Sequence, residues 1–245
     1  MLVTPDFVLI NMPMTGATVV AEMLRVVYGE LAVDIGRRHA VCAEIPEAMR
    51  RRPLLSVFRS PFERYVLQYH YGCWRNEPDK YCAPAPILRE YPCYPNVTFG
   101  QFVRIANTYY LNPPDGSEPG AQSPGWHTEQ YLRFYACDSA AAYARIRDTS
   151  TDADALQALE RPVHFLGPDP DYLDRALRDY LGRFDIAKEA MARLDGYVPS
   201  SRPGGHELRL RRDFVKYYDP DLIEYVYARE RWLFQRFPFS AIFTA

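Results

Sequence analysis

Two transitions from strand to helix within the first 70 residues constrain the fold of this chain most strongly. Residues 7–10 form a short apolar run. After the segment 13–18, apolar residues recur at the spacing of one helix face, at Val20, Met23, Leu24, Val27 and Tyr28. Residues 54–58 predict a second buried strand, and Ser60-Pro61 ends it before another helical segment. Two such units predict an α/β fold with a mostly parallel central sheet flanked by helices.

The alternation of strand and helix continues further along the chain. Thr98 and Gln101 have the spacing of a capping box, which predicts the start of a helix. Residues 163–167 predict another strand, followed by Asp169 as an N-cap and Pro170 as the first helical residue. The strongest helical period of the chain comes next, at Leu173, Ala176, Leu177, Tyr180, Leu181 and Phe184.

The C-terminal part predicts one last helix that starts at Asp219-Pro220. Its apolar side comprises Leu222, Tyr225, Val226, Arg229, Trp232 and Leu233. Residues 71–96 and 112–124 have no clear period and are rich in proline or other turn-forming residues, so they predict loops or irregular structure. Loops of this kind often contribute to a substrate site.

Length and composition fit one soluble domain that spans residues 1–245. The chain has 245 residues, of which 48% are hydrophobic and 24% charged, and this balance excludes a disordered or fibrous protein. With 29 basic and 31 acidic residues, the net charge is −2. Bulk electrostatic binding of nucleic acid is therefore not expected, and any anion site must come from a local group of cations.

Five cysteines without a C-x-x-C pair argue against a zinc ribbon or a thioredoxin-type site. A loop disulfide among Cys73, Cys82 and Cys93 and buried free thiols both stay open. The first 13 residues lack a basic region, and no apolar run approaches the roughly 20 residues that span a bilayer. We therefore expect a cytoplasmic protein without a membrane span. The five histidines are scattered, so we expect no metal site.

Thr15, Gly16, Ala17 and Thr18 lie where the first strand turns into the first helix. Backbone amides and the positive end of the helix dipole favour a phosphate at such a turn. The Walker and dinucleotide patterns are absent, so a plain turn with Thr18 as N-cap stays an alternative. Arg59 follows the second strand, at the sheet edge where open α/β sheets bind ligands. Its guanidinium suits a bidentate phosphate, and pairing with a carboxylate such as Glu63 is the structural alternative.

Both segments resemble the sulfotransferases that use 3′-phosphoadenosine 5′-phosphosulfate (PAPS), particularly the carbohydrate and heparan-sulfate branch. In that family the first loop reads P-K-[TS]-G-[GT]-T, and here it is Pro13-Met14-Thr15-Gly16-Ala17-Thr18. The family's second element, V-R-[ND]-P-[YFI]-E-R-[LFY]-x-S-x-[YF], is similar to residues 58–69, and weaker similarity covers residues 98–103, 126–130, 163–167 and 217–234. The resemblance implies a single-domain, P-loop-like sulfotransferase fold that transfers a sulfonate from PAPS to a hydroxyl or amine of a small-molecule or saccharide acceptor.

The resemblance also implies roles for individual residues. Residues Thr15 to Thr18 would hold the 5′-phosphosulfate of the donor, and Arg59 would bind its 3′-phosphate. Arg202, in a segment similar to a basic loop that closes over the nucleotide, is a further candidate for that phosphate. Two positions depart from the family: Met14 replaces the lysine that contacts the sulfonate, and Leu67 replaces the serine beside the 3′-phosphate.

The departure at Met14 leaves open how much activity remains, because a thioether neither donates a hydrogen bond nor carries charge. Arg37 or Arg38 in the next loop could partly replace the lysine. Sulfonate transfer also needs a base, and His39 is the first candidate, because some relatives of the heparan-sulfate branch have a histidine in this part of the chain. Glu44 is the second candidate, followed by His70 and His127.

Two other functions stay open beside sulfonate transfer. One is a catalytically silent module that keeps the nucleotide pocket and regulates a partner, and the other is an enzyme that uses a different phosphorylated donor. The identity of the acceptor and the oligomeric state do not follow from the sequence.

Overall fold

The computed structural model describes residues 1–81, 84–120, 122–148, 161–167, 169–201, 209–210, 213–237 and 239. The chain divides into two compact units. The first, called the sheet unit, comprises Met1–Arg59 and Arg161–Gly204. The second, called the helical unit, comprises Ser60–Glu160 and Gly205–Ala245.

The sheet unit contains a five-stranded mixed sheet. Its strands are β1 (Leu2–Val3), β2 (Val8–Ile10), β3 (Val33–Asp34), β4 (Leu54–Val57) and β5 (Val163–Leu166), in the spatial order β3-β1-β2-β4-β5. β2, β4 and β5 run parallel, whereas β1 pairs antiparallel with both β2 and β3. The α/β class is confirmed. The prediction of a mostly parallel sheet is confirmed in part, because β2, β4 and β5 are parallel but the sheet is mixed. Its antiparallel pairs were not predicted, because β1 and β3 have two residues each and are too short to produce an alternating pattern.

In the described part of the chain, the helices with defined ends are α1 (Ala17–Tyr28), α2 (Pro61–Tyr71), α3 (Cys73–Asn76), α4 (Pro84–Glu90), α5 (Phe99–Ala106), α6 (Trp126–Tyr135), α7 (Ser139–Asp148), α8 (Pro170–Leu181), α9 (Lys188–Ala192), α10 (Pro220–Arg229) and α11 (Arg231–Arg236). Short 3₁₀ turns occur at Gly29–Leu31, Cys42–Glu44, Glu47–Met49, Pro78–Lys80 and Phe214–Tyr217. No helix of the described residues is both long and apolar enough to cross a membrane.

One apolar core holds α1 and α8 against the sheet. Leu9 of β2 pairs with Leu55 of β4, and Val57 of β4 pairs with Leu166 of β5. These four side chains belong to the same buried cluster as the apolar faces of the two helices. Burial of each such side chain contributes about 1.5–3 kcal/mol to folding. Because α1 follows β2 directly and packs on the sheet, its N-terminus is fixed near the carboxyl end of β2.

The predicted helical face of α8 is confirmed. Leu173, Leu177, Tyr180 and Leu181 are buried in the cluster that contains the sheet residues. The predicted start is also confirmed, since the helix begins at Pro170 and the amide of Leu173 donates to the carbonyl oxygen of Asp169. The stretch is amphipathic because its apolar residues recur every three to four positions.

The helical unit has its own apolar core, which includes residues of α2, α5 and α10. The capping box at the start of α5 is confirmed: the amide of Gln101 donates to the hydroxyl of Thr98, and the amide of Thr98 donates to the side chain of Gln101. Residues 112–124 contain no helix or strand in their described part, as predicted. Residues 71–96 are not a simple loop, because they include α3 and α4, which have four and seven residues and are too short for a readable period.

The predicted last helix is two helices that meet at Glu230. Its N-cap is correct, since the carboxylate of Asp219 accepts from the amide of Leu222 at 2.8 Å. Its apolar side is also largely correct, with Leu222, Val226, Arg229, Trp232 and Leu233 all buried. At the break, Glu230 leaves the helical region with φ −104° and ψ 19°. Its buried carboxylate accepts hydrogen bonds from the amides of His127 and Thr128 at the start of α6.

The four cysteines that the structure describes form no disulfide with one another. Cys42 is buried and Cys73 is half-buried, whereas Cys93 and Cys137 are exposed. Cys82 lies outside the described residues, so for that residue the two alternatives, a disulfide and a free thiol, both stay open.

Candidate functional site

The candidate site is built on the sharp corner between β2 and α1. Two residues of this corner have positive φ angles, Met14 at 61° and Gly16 at 101°. Thr15 between them is fully buried, and its hydroxyl donates to the carbonyl oxygen of Met12 at 2.8 Å. Positive φ is uncommon for a side chain such as that of methionine and costs roughly 1–3 kcal/mol. Strained residues of this kind cluster at binding sites.

Gly16 is the N-cap of α1 and has no side chain that could cap the helix. At α5 and α10 a threonine and an aspartate occupy the equivalent position and accept an amide of the first turn. The first amides of any α-helix have no acceptor within the helix, and the helix dipole places positive potential there. The corner is therefore suited to an anion. The alternative in which Thr18 is the N-cap is wrong, because Thr18 is the second residue of α1.

Arg59 lies against this corner. It follows β4, its side chain is only 1% exposed, and a Cβ atom added to Gly16 would lie 3.6 Å from its Nη2 atom. The same Cβ would lie 3.9 Å from Val57 of β4. The hydroxyl of Ser56 also donates to the carbonyl oxygen of Ile10 at 2.8 Å, which ties the ends of β4 and β2 together. The predicted amide turn and the predicted arginine are therefore neighbours within one unit.

The loop after β3 adds two further contacts to the corner. Nη2 of Arg38 donates to the hydroxyl of Thr18 at 2.5 Å. Nδ1 of His39 lies 2.7 Å from the carbonyl oxygen of Asn11, the residue that follows β2. Two consecutive residues thus hold the two sides of the corner, Arg38 on the helix and His39 on the strand end.

The contact with Asn11 determines which nitrogen of His39 can take a proton. A carbonyl oxygen only accepts hydrogen bonds, so Nδ1 is the protonated donor. In the neutral ring, Nε2 then carries the lone pair. The side chain is exposed, so an incoming molecule can reach it. This geometry is the one that a general base requires.

Glu44 has both carboxylate oxygens engaged. One accepts from the amide of Val41 at 2.9 Å, and the other accepts from Nη2 of Arg37 at 2.6 Å. The hydrogen bond from the Val41 amide and the nearby Arg37 charge hold the pKa of Glu44 below its ordinary value. Since a lower pKa weakens a base, these contacts count against Glu44 in that role and leave His39 as the better candidate.

A cavity of about 330 Å³ lies beside the N-terminal half of α1. Asn11, Thr18 and Arg38 connect it to the corner, while Leu2, Leu9 and Ala21 form part of its apolar wall. Among the described residues, the charged side chains of its lining are two acids and two bases, Glu22, Asp34, Arg25 and Arg38. Arg25 and Asp34 form an ion pair at 2.7 Å, so that part of the wall is neutral.

The segment before Arg202 contacts the same helix. The hydroxyl of Ser200 and the amide of Ser201 donate to the carboxylate of Glu22 at 3.1 and 3.2 Å. Burial acts to raise the pKa of Glu22, but the hydrogen bonds from Ser201 and Ser200 outweigh it and leave the pKa below its ordinary value. Arg202 itself lies outside the described residues, so its predicted contact with a phosphate stays a prediction.

The other sequence candidates belong to the helical unit. Leu67 of α2 is 5% exposed and packs in the apolar core of that unit, which explains a leucine at this position without a ligand. His127 is fully buried, and its Nε2 lies 2.7 Å from the side-chain oxygen of Gln68. Burial, together with the charge of Arg64, lowers the pKa of His127 well below its ordinary value. His127 is therefore a neutral structural residue, and His70 is an exposed residue at the end of α2.

Sequence reasoning missed Asn11 and did not separate Arg38 from Arg37. The hydrogen-bond partners lie 28 residues apart for Asn11 and His39, and 20 apart for Thr18 and Arg38. A local pattern contains no signal for contacts of this range. Among the described residues, no group of three His, Cys, Asp or Glu side chains could hold a metal ion.

The structure is that of an α/β protein, and the glycine corner at the carboxyl end of β2 is its candidate anion site. Comparison with family models, with curated proteins and with solved structures finds no match to this chain.

Proposed function

We propose that this chain is a PAPS-dependent sulfotransferase with a P-loop-like fold, acting in the cytoplasm on a hydroxyl or amine of a small molecule or saccharide. The observation that carries the proposal is the position of Arg59 beside the Gly16 corner. A donor with a phosphosulfate at one end and a 3′-phosphate at the other needs an amide turn and a separate cation close together. Within the sheet unit the corner of α1 and the guanidinium of Arg59 meet that need.

In the proposed reaction the corner holds the 5′-phosphosulfate through the amides of residues Thr15 to Thr18. The acceptor oxygen forms a bond to sulfur while the bond from sulfur to the 5′-phosphate oxygen breaks, and that oxygen keeps the electron pair. His39 takes the proton of the acceptor at Nε2, since its Nδ1 donates to Asn11. The products are the sulfated acceptor and 3′-phosphoadenosine 5′-phosphate (PAP).

The second candidate function is a silent nucleotide-binding module, and Met14 is the observation that favours it. Loss of one donor to a developing charge costs about 2.7–4 kcal/mol of activation free energy, or roughly 100- to 1,000-fold in rate. The third candidate, an enzyme with a different phosphorylated donor, is favoured by the core position of Leu67, which contributes no hydroxyl to a 3′-phosphate.

Titration calorimetry with PAP tests the proposal without knowledge of the acceptor. We expect PAP to bind the wild-type protein and Arg59→Ala to weaken binding about 10- to 150-fold, the equivalent of one lost charge-assisted contact of about 1.5–3 kcal/mol. Arg59→Lys keeps the charge but loses the bidentate geometry, so its affinity should lie between the two. Arg175→Ala removes an exposed arginine of α8 in the same unit and should leave binding unchanged.

Thermal unfolding of each variant shows whether the fold is kept, because Arg59 is buried. Absence of PAP binding to the folded wild-type protein would contradict the proposal and favour a different donor. Binding of PAP without any turnover of PAPS would instead favour the silent module. Equal weakening in Arg59→Ala and Arg175→Ala would show only unspecific attraction of a negatively charged ligand.

A further inference from the structure

The corner of α1 does not carry enough positive charge for the group that it is proposed to hold. The N-terminus of a helix is equivalent to roughly half an elementary charge. A phosphosulfate carries more negative charge than this, and its leaving oxygen gains charge as the bond to sulfur breaks. Met14 is a half-buried residue of the bend, and its thioether supplies neither charge nor a hydrogen-bond donor.

Arg38 brings a full charge to this corner. Its guanidinium donates to the hydroxyl of Thr18 in the first turn of α1. A guanidinium has five N–H donors in a planar fork, so the bond to one hydroxyl occupies a small part of its capacity. The side chain of Arg38 is exposed and lines the cavity beside α1 together with Thr18 and Asn11. A ligand at the corner can therefore reach it.

Arg37 has the same charge as Arg38 but contacts a carboxylate of its own loop instead of α1. Its guanidinium pairs with the carboxylate of Glu44 at 2.6 Å. That carboxylate also accepts the amide of Val41, so the pair stabilises the 3₁₀ turn at Cys42–Glu44. Of the two neighbouring arginines, Arg37 thus supports the loop and Arg38 contacts the corner of α1.

The loop around Arg38 is anchored on both sides. The amide of Ile35 donates to the carbonyl oxygen of Met1, which continues the pairing of β3 with β1. On the other side His39 is held by Asn11. Anchoring reduces the conformational freedom that an exposed arginine loses when it binds a ligand, and a positioned cation stabilises a developing charge better than a mobile one.

We propose that Arg38 is a catalytic residue that replaces the absent lysine at position 14. Its guanidinium contacts the sulfonate and the 5′-phosphate oxygen, and it stabilises the negative charge on that oxygen when the bond to sulfur breaks. The proton of the acceptor goes to His39, the adjacent residue. This inference rests on the proposed function, and it adds the residue that makes transfer possible without a lysine in the loop.

The test measures release of PAP and sulfate from PAPS with water as the acceptor, so the natural acceptor need not be known. Arg38→Met should lower this rate about 100- to 1,000-fold. It should weaken PAP binding by a smaller factor, because PAP lacks the sulfonate and its phosphates keep their contacts with Arg59 and the amides. Arg38→Lys should recover part of the rate. Arg37→Met, which removes the same charge one residue away, should lower it less than about threefold, within the range of an exposed ion pair.

A double variant gives the most direct comparison. If Arg38 replaces a lysine at position 14, Met14→Lys should restore a large part of the rate to Arg38→Met and add little to the wild-type protein. Equal losses in Arg37→Met and Arg38→Met, or no rescue by Met14→Lys, would overturn the assignment of Arg38.

The outcomes also separate this inference from the proposed function. If wild-type protein binds PAP but does not turn over PAPS, Arg38 does not replace the lysine and the inference fails while the nucleotide site stands. If the wild-type protein does not bind PAP at all, the proposed function itself fails.

Discussion

The carboxylate of Glu230 occupies the space that a side chain at Gly125 would fill. A Cβ atom built on Gly125 would overlap all three atoms of this carboxylate. The carboxylate accepts hydrogen bonds from the amides of His127 and Thr128 at 3.0 and 2.8 Å and from the hydroxyl of Tyr65 at 2.6 Å. The hydroxyl of Thr128 is a fourth donor, at 2.7 Å. The buried carboxylate is stable here because four donors and the N-terminus of α6 face it.

We therefore expect Gly125→Ala to reduce the free energy of unfolding by about 2–4 kcal/mol, because the new methyl group must displace a charged hydrogen-bond acceptor. Gly100→Ala is the matched control in the same unit, since its Cβ would meet Leu222 at an ordinary 3.8 Å within α5. The control should be neutral or stabilising by up to about 1 kcal/mol. Urea unfolding of both variants measures the difference, and equal stabilities would show that Glu230 moves aside at little cost.

Glu230 also illustrates why only part of the fold could be predicted from the sequence. The apolar side of residues 222–233 has a helical period, which a single sequence displays directly. The break lies at Glu230, whose hydrogen-bond partners, the amides of His127 and Thr128, are more than 100 residues away along the chain. Local patterns thus predicted the helix faces and the caps at Thr98 and Asp219, and missed the feature that a distant partner produces.

The same distinction holds for the candidate site. The glycine corner and Arg59 could be predicted because each follows an apolar strand in the sequence. The two contacts that position Arg38 and His39 could not, because they join the corner to a loop that follows β3, a two-residue strand without a readable pattern. The mixed character of the sheet was missed for the same reason, since β1 and β3 provide its antiparallel pairs.

Stability at mildly acidic pH should depend on His127. Because burial lowers its pKa, the folded protein keeps this histidine neutral while the unfolded chain binds a proton near pH 6.5. The unfolded state therefore binds more protons, and stability falls as the pH falls below that value. Relative to His127→Phe, the wild-type protein should lose about 1.4 kcal/mol between pH 7.5 and 5.5.

Urea unfolding at several pH values measures this difference, and contributions from the carboxylates cancel in the comparison. His127→Gln is a second variant, whose side chain keeps an amide opposite Gln68 but does not titrate. It therefore distinguishes the pH dependence of stability from the stability lost through altered packing. If the free energy of unfolding changes equally in the wild-type protein and both variants between pH 7.5 and 5.5, His127 is not a neutral, buried residue.

Gly16→Ala should disturb the corner. The φ of 101° is unfavourable for alanine, which costs about 1–2 kcal/mol of stability, and the new methyl group would take up space 3.6 Å from Nη2 of Arg59, where the ligand is proposed to bind. We expect PAP affinity to fall about tenfold, or about 1.4 kcal/mol. Gly196→Ala is the control: its φ is 74° with no atom within 4 Å of the added Cβ, so it shares the backbone strain only. If calorimetry finds the same PAP affinity for both variants, Gly16 is not part of the nucleotide site.

His39→Asn tests the base while keeping its anchor. The amide nitrogen of asparagine can donate to the carbonyl oxygen of Asn11 as Nδ1 of histidine does, but the shorter side chain has nothing in place of Nε2. We expect PAP affinity to be kept and PAPS turnover to fall about 100- to 10,000-fold, the usual contribution of a general base. Glu44→Gln is the comparison for the competing candidate and should retain most of the turnover, because both oxygens of Glu44 already have partners. If Glu44→Gln loses more PAPS turnover than His39→Asn, the general base is the carboxylate of Glu44 and not His39.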